Sequence, residues 1–407
     1  MQKPSKPIWT DSVYSNADSS TELHERDLTR SPPDSTQMES HLRDIASQFC
    51  PSNAIASLSP LGNGRINDTY LVRLTAPDSS FVLQRINATV FPQPEAVMRN
   101  LALFAQHATE QLPQLALPSD RRWEIPVVLS AVNDEQPFVY DSTGDLWRAI
   151  GFIDNSISVD SIQTVAQAEE VGIALGIFHT LVSDLPCARL TDTLPGFHIT
   201  PRYLQQYDER LAAGLSPQHR ENCADCMQFV EEHREVMGVL EKAKAAGILT
   251  VRPIHGDPKV NNILFDRHSQ RAISIIDLDT VKPGLIQYDI GDCMRSGCNL
   301  AGSNATDLES VRFDLQNFQA ILQGYCSVAR SFLSERDYDY LYAAIHLIPL
   351  ELGLRYLTDY LNGNIYFKVS YPEQALERAR VQFALTSSIE QQRDEILIKI
   401  EHQQSHA

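Results

Sequence analysis

The stretch that decides the reading is IHGDPKVNNILFD, residues 254–266, followed by ISIIDLDTV, residues 273–281. The apolar runs NNILFD and AISIIDLD flank a polar turn from Arg267 to Arg271, which is the composition of a β-hairpin. Asp257 precedes Pro258, so its backbone is driven toward extended geometry and out of a helix. Asp257, Asn262 and Asp277 lie five and then fifteen residues apart, a spacing that carries the chain out along one strand and back along the next. That path predicts that the three side chains meet. Taken singly, His255, Asp257 and Asn262 read as turn residues that satisfy backbone groups. Together, and beside Asp277 on an otherwise apolar strand where a lone carboxylate needs a partner, they read as a catalytic set. Phosphoryl transfer uses such a set: one carboxylate takes the proton of the attacking hydroxyl, while an amide oxygen and a second carboxylate hold Mg²⁺ against phosphate oxygens.

Outward from this hairpin, the chain changes character near residues 150–158. Before it, short alternating runs (TYLVRL, SFVLQRI, IPVVLS, PFVY, LWRAIGFI) separated by turn compositions predict an antiparallel sheet, with a helix from about Pro94 to Leu112. After it, Val165, Ala168, Val171, Leu175, Phe178 and Val182 recur at helical spacing, with Asp160 and Gln163 as a capping pair. Helices dominate the remainder, one of them opening at Pro372. The expectation is a two-lobed α+β protein: residues 1–40 a disordered tail, 41–153 a small antiparallel β-sheet lobe that binds nucleotide, and 154–407 a larger, mainly helical lobe for catalysis and substrate.

The composition narrows the function classes. With 43% hydrophobic residues in 407, the chain can bury a large core. A formal net charge of −18 argues against a nucleic-acid partner, whose phosphates demand clustered Lys and Arg. No apolar run reaches membrane-spanning length, and the polar first 40 residues hold no signal-like segment. The seven cysteines form no disulfide framework and read as reduced cytosolic thiols. Cys223 and Cys226 have metal-like spacing but lack a second pair or a histidine at ligand spacing.

The string HGDxxxxN followed by IIDxD resembles the catalytic and metal-binding loops of the aminoglycoside phosphotransferase and choline kinase superfamily, which shares the protein-kinase fold. The resemblance implies ATP as co-substrate, Asp257 as catalytic base and Asn262 with Asp277 as Mg²⁺ ligands, with Asp279 a further candidate. Lys259 stands two residues after the base, where protein kinases place a lysine on the transferring phosphate. Read alone it is a solvated surface lysine. The turn LGNGRINDTY contributes Gly62, Asn63, Gly64 and Asn67 as candidates to lay backbone N–H groups over nucleotide phosphates, although it lacks the third glycine of G-x-G-x-x-G. In FVLQRIN the position expected to hold a phosphate-binding lysine is Gln84, with Arg85 adjacent. Strand alternation lets one of them face the nucleotide: Gln84 has the register and Arg85 the charge. Trp147 to Ile153, including Phe152, is the expected hinge strand whose backbone meets the purine.

Longer strings, GNGRINDTYLV, HGDPKVNNILFD, IDLDTVKPGLIQYDIGDCMRS and ELGLRYLTDYLNGNIYFKV, are similar to the N-acetylhexosamine 1-kinases over roughly residues 55–390. That resemblance implies phosphorylation of the anomeric hydroxyl of GlcNAc or GalNAc in the cytoplasm, with Asp257, Thr280, Arg355 and Tyr366 contacting the sugar. A neutral sugar needs such donors, acceptors and an aromatic face. Without the resemblance, Arg355 reads as a helix salt-bridge residue and Tyr366 as a half-buried core aromatic. Asp289 of YDIGD is expected to brace the catalytic loop, and His179 and His198 read as structural histidines. Kinases of other sugars, choline or amino alcohols are the alternative within enzymes, and a nucleotide-binding pseudokinase scaffold the alternative outside them. The preferred epimer and the oligomeric state stay open.

Overall fold

The chain is described by a computed structural model covering residues 35–62, 66–76, 80–133 and 135–405. Its contacts divide into two units: residues up to Met98 with Val127–Phe152, and Arg99–Pro126 with the residues from Ile153 onward.

The first unit holds α1 (Ser35–Ala46), β1 (Ile55–Pro60), β2 (Asp68–Leu74), β3 (Phe81–Arg85), the start of α2 (Pro94–Gln111), β4 (Val128–Leu129), β5 (Val139–Tyr140) and β6 (Leu146–Gly151). The sheet order is β1-β2-β3-β6-β4 with β5 on β6, and every pairing is antiparallel. Alternation sorts the side chains. Phe81, Leu83, Trp147 and Ala149 join Val72 on one face and pack with Leu42, Ile45 and Phe49 from α1 and the turn after it. Each of the Val, Leu, Ile and Phe side chains among them contributes about 1.5–3 kcal/mol when taken out of water. Residues 35–40, assigned to the tail on polarity, are therefore the first turns of a helix whose later turns are buried; residues 1–34 lie outside the described residues.

The second unit holds β7 (Ser156–Ile157), α3 (Val165–Leu181), α4 (Thr200–Ala212), α5 (Pro217–Asn222), α6 (Ala224–Glu232), α7 (Val239–Ala245), β8 (Arg252–Ile254), β9 (Ile263–Asp266), β10 (Ala272–Ile275) and β11 (Lys282–Gly284). There follow α8 (Ile286–Gly297), α9 (Leu315–Ala329), α10 (Glu335–Asp339), α11 (Leu341–Leu361), α12 (Gln374–Gln391) and α13 (Arg393–Ser405). β9 and β10 form the expected hairpin with β7 on its outer side, and β8 pairs with β11. Residues 99–126, placed by sequence in the first lobe, pack here instead. Asn100 Nδ2 donates to the carbonyls of Thr191 (2.7 Å) and Val281 (2.9 Å), and Arg121 forms a bidentate pair with Glu170 at 2.7 Å.

The expected capping residue of α3 is displaced. Thr164, not Asp160, caps it, accepting from Gln167 N at 3.1 Å, while the Gln167 side chain turns back to the Gln163 N–H at 2.8 Å. α3 crosses α9 at backbone distance through Gly172 and Gly324: a Cβ on Gly324 would stand 2.0 Å from the Glu169 carbonyl oxygen. Among the described residues no helix is long and apolar enough to cross a membrane.

Candidate active site

The site is built on the loop after β8. Asp289, in the first turn of α8, accepts the backbone N–H of His255 at 2.7 Å and of Gly256 at 2.8 Å, the bracing its motif predicts. Gly256 has φ +87°, and a Cβ there would come within 2.8 Å of the Thr280 carbonyl oxygen, so the loop passes where a side chain cannot. Thr280 donates its hydroxyl to the His255 carbonyl at 2.8 Å. Its donor, offered to a sugar by the sequence reading, thus holds the loop in place. His255 Nε2 faces the Ile276 carbonyl at 3.0 Å and its Nδ1 accepts from the Asp257 N–H at 3.2 Å, which fixes the neutral Nε2–H tautomer.

On this scaffold the residues at 257, 259, 262 and 277 come together. Asn262 Nδ2 donates to the Asp257 carbonyl at 2.7 Å and lies 3.4 Å from Asp257 Oδ2 and 3.3 Å from Asp277 Oδ2. Lys259 Nζ is paired with Asp257 Oδ2 and stands 3.8 Å from Asp277 Oδ2. Asp277 stands at the N-cap of a short 3-10 turn at φ +65°, a left-handed conformation that Asp tolerates better than most residues. Asp277 is 43% exposed, whereas Asp279 is buried, so the accessible carboxylate of the pair is Asp277.

Charge at the site is concentrated. Burial pushes the Asp257 carboxyl above its ordinary range, and the carboxylates of Asp292 and Asp277 push the same way while Lys259 opposes them. For Lys259 burial acts downward, but Asp257 and Asp277 outweigh it and hold the ammonium well above its usual value. Asp292 was not singled out by sequence reasoning. It is buried, its Oδ1 accepts from Arg295 Nε at 2.7 Å, and its Oδ2 has no hydrogen-bond partner among the described residues. Burial resists its ionisation, yet Arg295 holds it below the ordinary carboxylate value. Its signal in the sequence was the i,i+3 spacing from Asp289, which places both on one side of α8.

The donors suit a hard divalent cation. With its amide nitrogen committed to the Asp257 carbonyl, Asn262 has Oδ1 left to offer beside the Asp277 carboxylate, and the neighbouring ligand atoms are oxygens rather than thiolates or free imidazoles.

Behind the loop, His198 Nε2 donates to the Gly256 carbonyl at 2.7 Å and Nδ1 faces Glu351 Oε1 at 2.9 Å, while Thr200 donates to Glu351 Oε2 at 2.6 Å. His179 is likewise paired, to Tyr325 at 2.8 Å and Asp289 at 2.9 Å. One turn beyond Glu351 on α11, the Arg355 guanidinium is ringed by Tyr203 (4.9 Å), Phe197 (5.2 Å), Phe367 (5.5 Å) and Tyr366 (5.6 Å). Asp359, a further turn on, accepts the backbone N–H groups of Tyr366 (2.8 Å) and Phe367 (2.9 Å) and so fixes that segment against the helix.

In the first unit the two β3 candidates are engaged on opposite faces of the sheet. Arg85 is half-exposed and engaged on Asp68 and on Asp145 at 2.8 Å, on the same sheet face as Trp147. Gln84 is on the other face, opposite Arg148 of β6, and its Oε1 accepts from Arg148 Nε at 3.0 Å and Nη2 at 2.8 Å. Arg148 is 1% exposed. The cation at the Gln84 position therefore comes from the neighbouring strand. Gly62 takes φ +69° in the turn between β1 and β2, and Asn67 Oδ1 accepts from the Asn87 N–H at 3.0 Å; Asn63 and Gly64 lie outside the described residues. Phe152 follows β6 and its N–H donates to the Ser80 carbonyl at 3.1 Å.

Residues 57–324 match the profile of a family described as the phosphotransferase enzyme family. Among solved structures, the chain is similar to a microcompartment-associated aminopropanol kinase (18% identity, TM-score 0.56, covering 90% of this chain and 100% of that one). It is also similar to an ethanolamine kinase of Plasmodium vivax (14% identity, TM-score 0.56, 89% and 93% covered). A spectinomycin phosphotransferase in complex with ADP and spectinomycin is a third (13% identity, TM-score 0.53, 89% and 100% covered). The fold is thus of the protein-kinase-like α+β kind, with an antiparallel sheet in the N-terminal region and a helical C-terminal region.

Proposed function

Because the chain belongs to the phosphotransferase enzyme family, we propose that it transfers the γ-phosphoryl group of ATP to the anomeric hydroxyl of an N-acetylhexosamine, GlcNAc or GalNAc, releasing the sugar 1-phosphate and ADP. The observation that carries the reading is the meeting of Asp257, Lys259, Asn262 and Asp277 around one point, with Asn262 Nδ2 within 3.4 Å of both carboxylates.

In this reading Asp257 takes the proton from the acceptor hydroxyl as its oxygen bonds to the γ-phosphorus and the bond to the β-phosphate oxygen breaks. An Asp whose carboxyl is raised by burial is a better base than an ordinary one, which suits the role. Lys259 spreads positive charge over the oxygens that gain negative charge in the transition state. Asn262 and Asp277 would hold Mg²⁺, which when bound neutralises phosphate charge. Gln84 with Arg148, and the turn carrying Gly62 and Asn67, are the first unit's candidates for nucleotide contact, with the Phe152 segment for the base.

The aromatic ring around Arg355 supports a neutral acceptor. Burial works against its charge, but the surrounding Tyr203 and Tyr366 hydroxyls and Glu351 keep the guanidinium protonated, and a fixed cation repels choline or an amino alcohol. Rings with a guanidinium among them give a sugar an apolar face and donors.

The test is an acceptor panel of GlcNAc, GalNAc, glucose, galactose, choline, ethanolamine and an aminoglycoside with labelled ATP, followed by phosphorus NMR of the product. Turnover on the N-acetylhexosamines with a 1-phosphate signal is expected. Turnover confined to choline or ethanolamine, or a 6-phosphate product, would overturn the acceptor, and ATP binding without turnover on any acceptor would favour a scaffold.

A further inference from the structure

Away from the loop of Asp257, three helices of the second unit bring two imidazoles and a carboxylate to one point. His233, just past α6, and His346, on α11, each place Nε2 2.8 Å from the same oxygen, Oε1 of Glu390 on α12. The three candidate ligand atoms lie within 4.8 Å of one another.

The orientation of His233 is fixed from behind. Its Nδ1 donates to the Phe229 carbonyl at 2.7 Å, and its ring stacks on Phe229 at 4.0 Å. A neutral His233 in that tautomer therefore turns the Nε2 lone pair toward a carboxylate oxygen, a contact that repels unless a cation lies between. A proton can supply that cation for one ring. With a proton on His233 and a neutral His346 donating from Nε2, one carboxylate oxygen must serve two rings 5.9 Å apart, whereas one divalent ion takes a lone pair from each ring and the carboxylate together. The backbone carbonyl behind an imidazole is also the usual second partner of a metal-bound histidine. His346 is held too, its ring stacked on Tyr342.

We propose that His233, His346 and Glu390 form a zinc site that ties the end of α6 to α11 and α12. Two imidazoles and one carboxylate are a zinc donor set, with the remaining position left to water. The set is open to entry, because Glu390 is 40% exposed, while the histidine side chains are 13% and 9% exposed. The metal-spaced pair Cys223 and Cys226 offers no ready thiolate, since burial pushes the thiols up to about 11 and about 12. The ion would pin three helices, one of which carries Glu351 and Arg355, and the site stands whether or not the sugar assignment holds.

The test uses the full chain without an affinity tag, stripped with EDTA and titrated with Zn²⁺ against a chromogenic chelator. One equivalent per chain is expected, with a rise in melting temperature on the order of a few degrees at a hundredfold excess over Kd. Glu390→Gln changes an exposed side chain and keeps both imidazoles, and should weaken binding by roughly a hundredfold or more; His233→Asn with His346→Asn should abolish it. Cobalt in place of zinc should give ligand-field bands without sulfur-to-metal charge transfer. The proposal is overturned if the wild-type chain takes up no stoichiometric zinc, in which case the contact is a proton-bridged ion pair only. Binding that survives all these variants, or a charge-transfer band that places the metal on cysteine, would overturn it as well.

Discussion

His198 and Glu351 are bonded at 2.9 Å inside the second unit, 153 residues apart in sequence, and the opposite nitrogen of His198 donates to the carbonyl that immediately precedes Asp257. Both ring nitrogens face acceptors, so the ring is an imidazolium. Burial lowers its proton affinity, but Glu351 outweighs that and raises it above the ordinary histidine value.

The sign of the pH dependence follows. A histidine whose folded pKa is raised contributes stability that is fully present below the unfolded value of about 6.5 and is lost as pH rises through the folded value. Melting temperatures of wild type and Glu351→Gln measured against pH should differ most below about 6.5 and converge at higher pH. Removing one partner of so buried a pair should cost on the order of 3 kcal/mol at low pH. A gap independent of pH would remove the imidazolium from the account.

Asp257→Asn keeps the shape of the side chain and removes its basicity. Turnover should fall by roughly two to four powers of ten, with ATP binding, followed by calorimetry, nearly retained. Near-wild-type turnover in this variant would take the base assignment away.

Arg85 and Arg148 should separate cleanly. Arg85→Ala disturbs a half-exposed ion pair, worth about 0–1 kcal/mol, and should leave the KM for ATP close to wild type. Arg148→Met takes two donors from Gln84 Oε1 inside the sheet, and should lower stability by about 3 kcal/mol and raise the KM for ATP. The reverse ranking in ATP kinetics would make Arg85 the phosphate ligand.

Gly324→Ala would force a methyl to 2.0 Å from the Glu169 carbonyl oxygen, where backbone on both helices must give. The expected loss is about 3 kcal/mol or more, read by urea unfolding, with the near-ultraviolet spectrum reporting any repacking. An unchanged midpoint would mean that α3 and α9 slide freely.

What could be read in the sequence was whatever one segment decides for itself. The hairpin of β9 and β10, the extended Asp257 before Pro258 and the bracing by Asp289 all follow from local alternation, proline geometry and a short motif. What could not be read comes from pairings across long separations. Arg148 meets Gln84 only because β6 lies beside β3 in a particular register, 64 residues on. His198 looked like any satisfied histidine until Glu351 and Gly256 were placed on its two sides. The start of α1 failed for a different reason: SerThrGlnMetGluSer is too polar to announce a helix whose buried residues, Leu42 and Ile45, come only later.

Asp277 joins two requirements in one residue, a left-handed bend in the backbone and a negative charge at its tip. Glu would carry the charge but resist the bend, and Ala would resist it too; Asn alone among close relatives accepts the bend while dropping the charge. A single base change in an aspartate codon makes that exchange. If Asp277 holds Mg²⁺ as proposed, a lineage could lose phosphoryl transfer in one mutational step and keep an intact, soundly folded protein, free to be selected for whatever else its surface does.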